Sequence, residues 1–211
     1  MSSIRLTANT AAPKRVYGVT GSIKVVFGPM FSGKSTLCNL SRIQHEIAKR
    51  RVLKIKPRKD TRGKPGVLWT HSSQEIDSHP VERVEKASEI LTMIDDDERG
   101  DIHVVQIDEA QWMDEGILSV CAFLDRQGYI VEVYGCSGTF QREKFGYILD
   151  LIPFASECKS LHAICLYCGN GRASFTVRTS EENERDIPGG ADSYKSACNS
   201  CFYKYNTHHS P

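Results

Sequence analysis

The stretch IKVVFGPMFSGKST, residues 23–36, decides the fold. IKVVF (23–27) is a short apolar, β-branched run with glycine directly after it, which reads as a buried strand. GPMFSGKST (28–36) fits G-x-x-x-x-G-K-[ST]. From 34 to about 49 there is no Pro or Gly, and Leu37, Leu40, Ile43 and Ile47 recur at helical spacing. Strand, glycine-rich loop and helix in that order are what a phosphate-binding loop requires. Its backbone N–H groups turn inward at the positive end of the helix and form a nest for phosphate oxygens. Gly28, Pro29, Met30, Phe31, Ser32, Gly33, Lys34, Ser35 and Thr36 are therefore candidate ATP-binding residues. Lys34 would reach the β and γ phosphates, and the Ser35 hydroxyl would ligate Mg²⁺.

Working outward, RVLKI (51–55), IHVVQI (102–107) and YIVEVYG (129–135) read as further strands, and GVLWTH (66–71) as a short extended piece. Residues 83–96 read as a helix with Val84, Ala87, Ile90, Leu91 and Ile94 on one side, and 113–127 as another. Strands alternating with helices make the first ~160 residues an α/β domain with a mainly parallel sheet. VVQIDEAQ (104–111) ends a buried strand with two adjacent carboxylates. Asp108 suits the second magnesium position. Glu109 points another way, toward whatever faces the γ phosphate, where a carboxylate can accept the proton of an attacking water or substrate hydroxyl.

Eight cysteines without a secretion signal argue against a disulfide framework. CLYC and CNSC each put two thiolates on one tight knuckle, and Cys165, Cys168, Cys198 and Cys201 can together close a tetrahedral, structural Zn²⁺ site. Residues 169–197 would then form a long loop pinned by metal at both ends, with PGGADSY inside it. The chain so divides into an N-terminal tail (1–20) expected to be disordered, a P-loop α/β domain (21–162), a small zinc-binding module (163–203) and a C-terminal tail (204–211). The tail carries Arg5, Lys14 and Arg15 and no acid, which also fits a mitochondrial transit peptide.

Lysine plus arginine is 27 and aspartate plus glutamate is 26, a net charge of +1. That balance offers no broad electrostatic reason to bind nucleic acid, and no apolar run is long enough to span a bilayer. Three readings of the phosphate loop remain. A nucleic-acid motor fits the DEAQ letters, but this chain is too short for two motor domains. A nucleoside-monophosphate kinase with a zinc lid needs several arginines on its acceptor loop, and 181–194 has one, Arg185, among five acids. A kinase for an uncharged nucleoside needs no such clamp and gives Glu109 a sugar hydroxyl to deprotonate.

GPMFSGKST, KDTR (59–62), WTH (69–71), IDEAQ (107–111), GTFQR (138–142), GGADSY (189–194) and the paired cysteines occur here in one order and spacing. In this the chain resembles the zinc-containing thymidine kinases, the cytosolic, poxviral and many bacterial ones, from about residue 21 to 203. The resemblance implies a cytoplasmic enzyme that moves the γ phosphate of ATP to the 5′-hydroxyl of thymidine with Mg²⁺. It implies Glu109 as general base, with Asp60, Arg62, Asp108 and Gln111 at the nucleotide and metal. Phe140 would stack on thymine. Met30 and Thr176 would line the 5-methyl pocket. Arg185, Asp186, Ile187, Pro188, Gly189 and Tyr194 would belong to a lasso that holds the base through main-chain bonds. A homotetramer and feedback by dTTP are implied too. An apolar pocket discriminates one missing methyl by only about 1–3 kcal/mol, so deoxyuridine is an expected second acceptor. Four departures from the family pattern stand out: Ser137 for aspartate, QREKF for QRKPF, DEAQ for DEGQ, and Pro188 for an aliphatic residue.

Overall fold

The computed structural model describes residues 20–61, 68–69, 75–77, 80–98, 100–180, 187 and 189–206. Arg62, His71, Arg185, Asp186 and Pro188 lie outside the described residues, as do 1–19 and 207–211.

The elements run β1 (Ser22–Gly28), α1 (Lys34–Ile47), β2 (Arg51–Pro57), β3 (Leu68–Trp69), β4 (Glu75–Asp77), β5 (Glu82–Val84), α2 (Glu89–Asp95) and β6 (Ile102–Ile107). They continue with α3 (Gly116–Arg126), β7 (Ile130–Cys136), β8 (Glu157–Ser160), β9 (Ala163–Ile164), β10 (Arg172–Ala173), β11 (Phe175–Arg178), β12 (Tyr194–Ala197) and α4 (Asn199–Tyr205). Six strands form one sheet in the order β5-β2-β6-β7-β1-β8. Every pairing in it is parallel, as expected for an α/β domain. β9 with β10 and β11 with β12 make two small antiparallel pairs, and α4 closes that C-terminal part.

Alternation along the strands gives the sheet two unlike faces. Val105, Ile107, Val131 and Val133 pack with Ile117, Val120, Cys121 and Leu124 of α3 in the main core. On the other face Lys54, Gln106, Glu132 and Lys24 stand side by side in register across β2, β6, β7 and β1, and Lys24 pairs with Glu157 on β8. There α1 packs through Cys38, Asn39, Ser41 and Arg42. Of its apolar repeat only Leu37 packs inward, at Val26, Cys38 and Tyr134, and the rest faces outward: Leu40 is 50% exposed, Ile43 39% and Ile47 75%.

One expectation is corrected, and one strand was not foreseen. Residues 83–96 are not one helix: Glu82–Val84 is a strand beside β2, and the helix begins only at Glu89. The reason is local. The N–H groups of Glu85 and Lys86 donate to the Glu89 carboxylate (3.0 and 2.8 Å) and that of Ala87 to Asp114 (2.8 Å), so they do not enter a helical ladder. The edge strand β8 carried no hydrophobic signal, because all four of its residues are exposed.

Candidate active site

The phosphate loop leaves β1 at Gly28 and enters α1 through Gly33, whose φ of 82° opens the turn. Lys34 is buried and lies back over the loop, its Nζ donating to the carbonyls of Pro29 (2.6 Å) and Gly28 (3.2 Å). Ser35 Oγ stands 3.5 Å from Asp108 Oδ1, which brings the two expected Mg²⁺ ligands together from residues 73 apart. Asp60 joins them. Its buried carboxylate accepts a bond from Lys56 Nζ at 3.0 Å, and the same ammonium is 3.7 Å from Asp108. Burial works against the Lys56 charge, but the carboxylates of Asp108, Asp60 and Glu109 outweigh it and raise its pKa.

Glu109 has a left-handed backbone (φ 57°, ψ 36°) that starts the 3-10 turn Ala110–Trp112. A non-glycine residue seldom adopts it, and here it turns Glu109 away from the line of β6. Gln111 explains itself in the structure. Its amide donates to Glu109 Oε2 at 2.6 Å, and its carbonyl accepts from the backbone N–H of Cys136 at 2.9 Å. A Cβ on Gly135 would sit 2.6 Å from that same Gln111 oxygen, so only glycine leaves room for the contact. Gln111 thus contacts the Glu109 carboxylate and orients it.

Through Gln111, Glu109 is joined to an apolar wall that includes Cys136. Met30, Cys136 and Tyr194 form a buried cluster with Phe31 and Phe145 against it, and Trp112 meets Phe145 edge-on at 4.8 Å. The N–H of Met30 donates to Thr176 Oγ1 at 3.2 Å, across 146 residues of sequence. Phe140 is held from behind. The Arg178 guanidinium lies 4.0 Å from its ring centre, and Asn206 donates to its carbonyl at 3.1 Å. Arg178 also donates to the Tyr194 hydroxyl (2.8 Å), which in turn donates to the carbonyl of Ile187 (3.0 Å). Sequence reading missed Trp112, Cys136, Phe145 and Arg178, since none of them belongs to a local motif with fixed spacing. Gly189 packs under Tyr194, where a Cβ would come within 2.9 Å of the ring. Ser137, next to Cys136 of this wall, lines a cavity of about 400 Å³ together with Pro29, Thr139, Arg142, Lys144 and Thr176.

The sulfurs of Cys165, Cys168, Cys198 and Cys201 all lie within 4.8 Å of one another, and those of Cys168 and Cys198 are 3.9 Å apart. Four thiolates about 2.3 Å from one tetrahedral ion stand about 3.8 Å apart, so the four fit Zn²⁺ and leave no open position. Burial raises the Cys165 pKa, but the N–H groups of Cys198, Cys168 and Tyr167 overcome it and bring the thiol down to about 6, where it is a ready ligand.

A phosphate loop on a parallel sheet, paired acids at the end of its central strand and a four-cysteine module define a P-loop phosphotransferase. The thymidine kinase family model matches residues 21–202. Thymidine kinase of Myxoma virus (strain Lausanne) is 36% identical over 189 residues, covering 89% of this chain and 98% of the viral one. That of Raccoon poxvirus is 38% identical over 182 residues, 86% of this chain and 97% of its own. Cytosolic thymidine kinase of Gallus gallus is 35% identical over 184 residues, 87% of this chain and 78% of the bird protein. The chain belongs to the thymidine kinase family.

Proposed function

We propose that this enzyme transfers the γ-phosphoryl group of ATP to the 5′-hydroxyl of thymidine, and also of deoxyuridine, in the salvage route to dTMP for DNA synthesis. The observation that carries the reading is the buried Glu109 carboxylate next to Asp108, oriented by Gln111, whose carbonyl accepts from Cys136 of the aromatic wall. Glu109 takes the hydroxyl proton as the sugar oxygen bonds to the γ phosphorus, and the bond from that phosphorus to the bridging oxygen breaks to release ADP. The loop from Gly28 to Thr36 and Lys34 cradle the phosphates. Mg²⁺, when bound, neutralises charge on the β and γ oxygens, and Ser35 and Asp108 would hold it. Asp60, fixed by Lys56, borders that position, and Arg62 is assigned to the nucleotide with it.

Phe140 is the platform for the thymine ring, with Met30 and Thr176 at its methyl group. The lasso from Arg185 to Gly189, with Tyr194, reads the base edges through its main chain. Structural Zn²⁺ on the four cysteines keeps that module (163–203) folded against the P-loop domain (21–162). dTTP carries thymine and a triphosphate in one molecule, so it matches both halves of the site and is the feedback ligand. The exposed stripe Leu40, Ile43 and Ile47 on α1 supports a homotetramer, since an apolar stripe of this kind is usually covered. A cytoplasmic location accords with the cytosolic bird relative. Among the described residues no helix is long and apolar enough to cross a membrane. The zinc-lid monophosphate kinase and the nucleic-acid ATPase are not favoured.

The test is phosphoryl transfer from ATP·Mg²⁺ to thymidine, deoxyuridine, deoxycytidine, deoxyadenosine and thymidine monophosphate, with water as blank. Transfer to thymidine and deoxyuridine alone, and a Glu109→Gln variant that binds ATP but turns over at least ~100-fold more slowly, are the expected results. Turnover of the monophosphate, or ATP hydrolysis without an acceptor, would replace this reading by one of the other two.

A further inference from the structure

The phosphate loop uses positive φ twice, and in different ways. At Gly33 (φ 82°) a Cβ would meet nothing within 4 Å, so the position needs only conformational freedom. At Phe31 (φ 63°) the loop puts a bulky aromatic into a left-handed conformation that such residues rarely adopt. Strain of that kind persists only where the surroundings hold it in place. Part of what surrounds Phe31 is the P-loop domain's own Met30, Cys136 and Phe145, and the rest comes from the C-terminal module. Its ring packs on Ala163, Cys165 and Ala173, the small core that also includes Cys198 and Cys201, and on Tyr194 beside Met30. One further tie runs the same way, Met30 N–H to Thr176, and just before the module the Leu161 N–H donates to the Phe27 carbonyl at 2.8 Å. At Gly28 the Leu161 carbonyl approaches so closely that a Cβ would come within 2.6 Å of it.

We infer that Phe31 is a positioning residue through which the four-cysteine module holds the phosphate loop in its nucleotide-binding shape. Metal at the cysteines and nucleotide at the loop, 130 or more residues apart in the chain, then stabilise one another. The inference rests on the Zn²⁺ reading of the cysteine cluster. Its physics is short. Cys165 is at once an expected metal ligand and part of the surface under Phe31. With the metal gone, that surface loosens, the strained Phe31 backbone loses its support, and the loop relaxes away from the phosphate cradle. By linkage the converse holds: nucleotide that fixes the loop tightens the module and retains the metal. The module would then serve the donor side of the reaction as well as the lasso.

The experiment uses the full-length, zinc-loaded protein, with zinc content first set by elemental analysis. Zinc transfer to a chromogenic chelator is timed with and without ADP·Mg²⁺, and ADP·Mg²⁺ affinity is measured by calorimetry for wild type, Phe31→Gly and Phe31→Leu. ADP should slow zinc release at least ~5-fold in wild type. Phe31→Gly should keep its zinc, bind ADP at least ~10-fold more weakly and lose the slowing, while Phe31→Leu recovers part of both. A purely local role predicts the reverse, because glycine relieves the left-handed strain and would bind ADP as well as phenylalanine does or better. That result, or zinc release indifferent to ADP in wild type, overturns the inference. If Phe31→Gly does not fold, the wild-type release rates and Phe31→Leu decide. Pure folded protein without zinc would overturn the metal reading and this inference together; zinc present without coupling overturns this inference alone.

Discussion

On one face of the central sheet, Val105, Ile107, Val131 and Val133 meet the apolar side of α3, and all of them are buried. On the opposite face, Lys54, Gln106 and Glu132, also buried, meet the polar side of α1. There Glu132 accepts from Gln106 (2.6 Å), Ser41 (2.7 Å) and Tyr134 (3.0 Å), with His45 at 3.4 Å, and Gln106 donates to the carbonyl of Cys38 at 3.1 Å. The α3 face is held by area removed from water, which is tolerant of small shifts. The α1 face has a small apolar cluster of Val26, Cys38 and Tyr134, but adds directional bonds that define one seating and penalise any other. The difference bears on function, because α1 begins with Lys34 and Ser35. The helix that must hold the phosphate loop in register has the directional attachment.

Four changes test that contrast. Leu124→Ala on the apolar face should cost roughly 2–5 kcal/mol in denaturant unfolding, with ADP affinity of the folded protein unchanged. Glu132→Gln should cost on the order of 2 kcal/mol at neutral pH, yet also weaken ADP binding, since it unseats α1. Equal ADP affinity in the two variants would mean that both faces anchor their helices alike. The acid limb of stability sharpens the point. Burial pushes Glu132 up, but its bonds from His45, Gln106, Ser41 and Tyr134 win and hold it near 2, below the ordinary 4.5. A depressed carboxylate stabilises the fold above its unfolded value, so this contribution is complete above pH 4.5 and is lost as pH falls toward about 2. Glu132→Gln should flatten stability over that window while Leu124→Ala leaves its slope alone. The smallest effect is expected outside: Ile47→Ser should change stability by less than about 0.5 kcal/mol. In light scattering, however, a double change of Ile43 and Ile47 to lysine should lower the molecular mass if the proposed tetramer uses this face.

The same contrast explains what could be read in advance. α3 and β6 were legible because their periodic apolar residues do face the core. α1 was legible as a helix but not in its orientation: its apolar spacing suggested a buried stripe that the structure turns outward. Only the register of β6 against β7, which puts Gln106 beside Glu132, shows why the polar side is the inner one. In the site, Lys34, Ser35, Asp108 and the cysteine knuckles announced themselves because each motif is local and its chemistry needs fixed spacing. Glu109 was legible as the candidate proton acceptor, because it follows Asp108 at the end of a buried strand. Its partner Gln111, the space that Gly135 makes for that partner, and Arg178 behind Phe140 had no local signal.

What the sequence alone determined is everything that depends on neighbours along the chain: the strand, loop and helix of the phosphate site, the paired acids, the two thiolate knuckles, and through their order the family. Tertiary structure decided what depends on neighbours in space. It chose which side of α1 faces inward, how Gln111 aims Glu109, and how β11, β12 and α4 brace Phe140, Tyr194 and the strained Phe31. The physical reason is range. A backbone nest or a metal knuckle closes within a few residues, whereas an apolar pocket and a buried charge need groups that only the completed sheet brings together.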